Sequence, residues 1–72
     1  HMERAQEFRW EYYEIGQGHF APTLEKARIK AIQASLLRPK LTVILELFQP
    51  TAIPLCVYKN GKVASWKLLE EA

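Results

Sequence analysis

One run of sequence limits this chain more than any other. LEKARIKAIQASLL, from Leu24 to Leu37, is built of strong helix formers and holds neither glycine nor proline. Thr23 supplies a side-chain oxygen for the helix start, and Glu25 places a negative charge in the first turn. Pro39 disfavours helical angles at Arg38, so the helix stops there. The flanking sequence has the spacing of strands. A single helix shields only one face of a sheet, so the other face must find another partner or tolerate water.

At 72 residues the chain has room for one domain and one core. Cys56 is the only cysteine, so no intrachain disulfide forms and a reducing compartment is the simplest setting. His1 and Met2 look like a cloning remnant and natural start, which leaves His19 as the usable histidine and no expected metal site or cofactor. An apolar fraction of 49% is that of an ordinary globular protein, and no run approaches the length of a membrane span. A cytoplasmic location is expected. The domain is expected over residues 3–69, with 70–72 as a tail.

Residues 7–15, EFRWEYYEI, alternate as a half-buried strand: Phe8, Trp10 and Tyr12 point one way, Arg9, Glu11 and Tyr13 the other. GQGHFAP, residues 16–22, carries two glycines and a proline and reads as a connection. LTVILELF, residues 41–48, is apolar on both faces, as in a central strand. Residues 55–69 read as a hairpin turned at Asn60-Gly61. That turn sets Lys59 opposite Lys62, Tyr58 opposite Val63, Val57 opposite Ala64, Cys56 opposite Ser65 and Leu55 opposite Trp66. The expected fold is α+β in the order β-α-β-β-β, one helix on one face of a mostly antiparallel sheet of three or four strands. The helix wheel assigns Leu24, Ile29, Ala31, Ile32 and Leu36 to the core, and Lys26, Lys30 and Gln33 to the opposite side. Leu55, Val57, Ala64 and Trp66 are expected beneath the helix.

Catalysis has little to stand on. Glu7, Glu11 and Glu14 could offer paired carboxylates, but Glu7 and Glu11 share an outward row with Arg9, where mixed charges solvate a strand. Cys56 lies mid-strand with no local base to activate it. Gly16-Gln17-Gly18 is too short to be a phosphate loop, and Pro22 removes an amide donor at the helix start. The chain reads as a non-enzymatic module.

Two surfaces compete as binding sites. The uncovered sheet face is expected to present Tyr13, Ile15, Ile44, Phe48, Tyr58 and Val63, and a homodimer or protein partner would cover it, there or at an exposed strand edge. Of these, Tyr13, Ile44, Phe48, Tyr58 and Val63 are the expected interface. The alternative is a nucleic-acid surface on the helix. Residues 26–40 hold Lys26, Arg28, Lys30, Arg38 and Lys40 and no acid, with Lys26, Lys30, Arg38 and Lys40 as the phosphate contacts. From Tyr12 to Leu36 the strand, loop and helix opening on Thr23-Leu24-Glu25-Lys26-Ala27 resembles part of HicB-type antitoxins. That family has more strands before its helix, and no activity, partner or site residue is carried over from it.

Overall fold

Two strands precede the helix, where the sequence pattern shows one. In the computed structural model, which describes residues 7–49 and 51–65, the order is β1 (Glu7–Tyr12), β2 (Gln17–Ala21), α1 (Leu24–Leu37), β3 (Val43–Phe48), β4 (Ala52–Lys59) and β5 (Lys62–Val63). The sheet runs β2-β1-β3-β4-β5 with every neighbouring pair antiparallel. Strands β2 and β3 therefore run parallel to each other on either side of β1, and α1 joins them. One helix on an antiparallel sheet is the expected α+β architecture; β2 extends it to five strands.

Strand β2 comes from the stretch read as a connection. Gly16, at a φ of 68°, closes the turn after β1, and its N–H donates to the Tyr12 carbonyl at 2.8 Å. Gln17 to Ala21 then pair with Tyr12 to Phe8. Gly18 leaves no β-propensity to read, but its missing side chain has a use. A Cβ there would stand 2.5 Å from the Arg9 guanidinium, which lies across it.

The helix begins as expected: the Thr23 hydroxyl oxygen accepts the Lys26 N–H at 3.1 Å. Ala31 and Ile32 pack on the core as the wheel expects, but the rest of the buried face differs from it. Ala27, Ala31, Ala34 and Ser35 meet the sheet, Ile32 is half-buried, and Leu24, Ile29 and Leu36 are exposed. The sheet supplies the bulk instead, with Trp10, Tyr12 and Tyr58 filling the space between layers, so only small helix residues fit. Two hydrogen bonds hold that rotation: the buried Tyr12 hydroxyl donates to the Ala34 carbonyl at 2.9 Å, and the Gly61 N–H donates to Ser35 Oγ at 2.8 Å.

Asn60 and Gly61 form the expected turn, with φ of 52° and 81°. Tyr58 pairs with Val63 and Lys59 with Lys62, as the turn dictates. Ala64 donates its N–H to the Val57 carbonyl at 2.7 Å. Gly61 is required twice over, by its φ and by Leu36, which an added Cβ would meet at 2.6 Å. The expected Leu55–Trp66 pair, the strand beyond Ser65, the N-terminal start and the tail all include residues outside those described.

The faces of β4 are the reverse of the expected ones. Tyr58 and Cys56 lie beneath the helix with Val43 and Leu45, while Val57 lies on the far side with Ile44. Choosing the side by apolarity failed because a bulge interrupts the alternation. Pairing passes from Leu45–Cys56 to Glu46–Pro54, leaving Leu55 as the extra residue. Pro54 is tolerated there because, among the described residues, β5 pairs only with Tyr58 and Lys59, so this part of β4 has no outer neighbour.

The far face is closed at its centre. Val57 is 1% exposed, Glu46 3% and Ile44 5%. Arg9 lies over the Phe20 and Phe48 rings, 5.7 and 5.8 Å from their centroids, and stands 3.7 Å from both Glu11 and Glu46. The interface expected on this face is thus partly dismantled. Ile44 is buried, Tyr58 belongs to the core on the opposite side, and Phe48 is half-buried against Arg9. Tyr13 is exposed in the β1–β2 turn. Val63 is 72% exposed, but shares the helix side through its pairing with Tyr58.

Candidate functional site

The helix, rotated so that its alanines face the sheet, presents Lys26, Lys30 and Gln33 beside β1 and β2. Trp10 sits at the join between the layers. Its ring stacks on His19, 4.5 Å between centroids and 27° between planes, and meets Tyr12 edge-on at 5.5 Å. The cross-strand pairing of Trp10 with His19 creates this stack, so it depends on β2 being a strand.

Two adjoining hollows flank Trp10. One, of about 280 Å³, is lined by Trp10, His19, Ala21, Pro22, Lys26 and Lys30 among others. The second, of about 320 Å³, is lined by Trp10, Tyr12, Lys30, Gln33, Ala34 and Leu37. They share Trp10 and Lys30 and have no carboxylate in either lining. Glu7 borders a separate depression beside Phe20 and Pro22, at the acidic limit of the groove. Beyond the second hollow, the Arg38 guanidinium lies over the Tyr12 ring at 5.5 Å.

The helix cations divide by side. Arg28, on the flank away from Trp10, is neutralised by Glu25, its Nη2 donating to both carboxylate oxygens at 3.0 and 3.1 Å. Among the described residues Lys26 and Lys30 have no salt bridge, so the groove side keeps its positive charge. Of the four basic residues singled out in the sequence, Lys26 and Lys30 line the groove and Arg38 stands at its end. Lys40 is exposed beyond the helix, where its carbonyl accepts a hydrogen bond from Lys59 Nζ at 2.9 Å.

Trp10, His19 and Gln33 also line this surface; the sequence places Gln33 with Lys26 and Lys30 and puts His19 before the helix, where it could help hold an anion, but does not bring Trp10 beside them. In the sequence Trp10 shares one strand row with Phe8 and Tyr12, and in the fold it also packs against the core. A stack between residues 10 and 19 becomes readable only once β2 is paired with β1.

The three glutamates do not come together as a catalytic group. Glu14 is tied to the start of β3, its oxygens accepting the Thr42 N–H at 2.7 Å and the Thr42 hydroxyl at 2.8 Å. Burial opposes its ionisation, but these bonds and the charge of Lys59 hold its pKa below the ordinary carboxylate value. Glu11 is drawn instead to Glu46. Burial pushes the Glu46 pKa up to about 8, helped by a hydrogen bond to Glu11 and its charge, while Arg9 pulls the other way. Among the described residues no three histidine, cysteine or acidic side chains gather into a metal site. None of their helices is long and apolar enough to cross a membrane.

No family model matches the chain, and neither a curated protein nor a solved structure is significantly similar to it.

Proposed function

We propose that this domain is a non-enzymatic nucleic-acid-binding module whose contact surface is the groove between α1 and the β1–β2 hairpin. The observation that carries this reading is the lining of the two hollows: Lys26, Lys30 and His19 around a central tryptophan, with no carboxylate among them. Lys26 and Lys30 supply mobile ammonium groups for phosphates, and Arg38 continues the track at the end of the helix. The aromatic rings supply stacking surface beside those charges. A reducing, cytoplasmic setting fits the lone Cys56 and a nucleic-acid ligand.

The reading is tested by titrating a labelled mixed-sequence oligonucleotide at low salt. Lys30→Glu, at the residue shared by both hollows, is expected to weaken binding at least tenfold, whereas Lys62→Glu on the β4–β5 hairpin changes it little. Equal losses from both variants would mean diffuse attraction to a basic protein and no groove.

A protein-docking role is the second reading, favoured by a different observation. Ile29 and Leu36 on the helix, Ile53 and Leu55 on β4, and Val63 on β5 are all exposed. A second copy of the chain, or a protein partner, would cover such residues. Of the interface expected from sequence, Ile44 and Tyr58 are buried and Val63 is exposed. A strictly monomeric mass by light scattering at high concentration, with no protein partner recovered, would remove this reading and leave the first intact.

A further inference from the structure

The groove is more selective than a basic patch. We infer that it takes single-stranded nucleic acid, with an unstacked base entering the hollow between the layers and lying against His19. This rests on the nucleic-acid reading above and adds to it the form of the ligand.

Three features point to an unpaired strand. The first is shape. The hollows are open recesses between the helix and the sheet, and at about 280 and 320 Å³ they lie near the lower end of the range for small-ligand clefts. A base within a duplex is stacked on both sides and paired at its edge, so it cannot enter such a recess without being splayed out. The second is the exposed His19 ring. One of its faces is occupied by Trp10, and stacking a base on the other would extend an aromatic column that already exists.

The third feature is the strand edge beside that column. Strand β2 ends the sheet, and among the described residues no strand pairs with its outer side. Its backbone N–H and C=O groups lie next to His19 and can meet the hydrogen-bonding edge of an unpaired base, which a duplex hides. The phosphates have a track of matching direction: Lys26, Lys30 and Arg38 extend about 18 Å along the helix, at 1.5 Å per residue. A short single strand following the helix would meet the three cations in turn while its bases face Trp10 and His19.

The experiment uses the whole chain carrying Trp66→Phe, so that Trp10 is the only tryptophan and its fluorescence reports on the groove. Four probes are titrated at one salt concentration: oligo-uridine, oligo-deoxythymidine, a duplex of the same length, and inorganic polyphosphate. The expected result is that one or both single strands bind at least tenfold more tightly than duplex and polyphosphate and alter the Trp10 emission. His19→Ala should then weaken single-strand binding about tenfold, and His19→Phe, which keeps a ring in place, should restore most of it. Equal affinity for all four probes would overturn base entry while leaving the basic groove as a polyanion site. No binding to any probe would overturn both readings.

Discussion

Glu46 is the one carboxylate in LTVILELF, a run otherwise built almost wholly of apolar residues. In the fold its Oε1 is buried and accepts no hydrogen bond, its nearest cation being Arg9 at 3.7 Å. With its pKa raised from 4.5 to about 8, the folded protein holds a proton that the unfolded chain has already released across that interval. The stability this group contributes is therefore complete below pH 4.5 and lost as the pH rises through about 8. Glu46→Gln removes the titration while keeping the shape. Its melting temperature relative to the parent should rise between pH 4.5 and about pH 8 and level off above that, and parallel curves would contradict the assignment. The amino acids alone could not show this, because the raised pKa depends on burial and on Glu11 from another strand.

At the scale of elements, the boundaries of the helix were legible and its rotation was not. Thr23 and Pro39 act locally and placed both ends. Rotation is decided by partners in the sheet, since Trp10, Tyr12 and Tyr58 fill the interlayer and leave its centre to alanine and serine, with Ile32 at the margin. The wheel, which weighs hydrophobicity alone, chose the larger Ile29 and Leu36. The two orientations give opposite predictions. Ala27→Leu should cost about 1–3 kcal/mol through overpacking, while Ile29→Gln should stay within about 0.5 kcal/mol of the parent. Urea denaturation midpoints compare them directly, and the reverse order would restore the orientation expected from the wheel. Strand β2 was hidden for a related reason. Its identity comes from pairing with β1, while Gly18 and the polar residues beside it resemble a loop. The β4–β5 register, by contrast, follows from Asn60-Gly61 and needs no distant partner.

For the whole molecule, one helix on an antiparallel sheet could be read from local periodicity, but the groove proposed as the contact surface could not. The apolar far face, which looks unfinished in the sequence, is closed at its centre, where Val57, Ile44 and Glu46 are buried. The basic helix gained what it lacked in the sequence: an aromatic floor, contributed by a β1 tryptophan and a β2 histidine, next to Lys26 and Lys30. Only the cations were visible beforehand, because a charge run lies within one element and a groove lies between several. These cations are proposed to meet phosphates. The most direct test is the affinity for a single-stranded oligonucleotide measured over a range of salt concentrations, for the parent and for Lys26→Glu combined with Lys30→Glu. Three phosphate contacts predict a parent slope of log affinity against log salt near −2, at about −0.7 per contact, and a slope nearer zero in the double variant. A flat dependence in the parent, or the same slope in both proteins, would contradict the account.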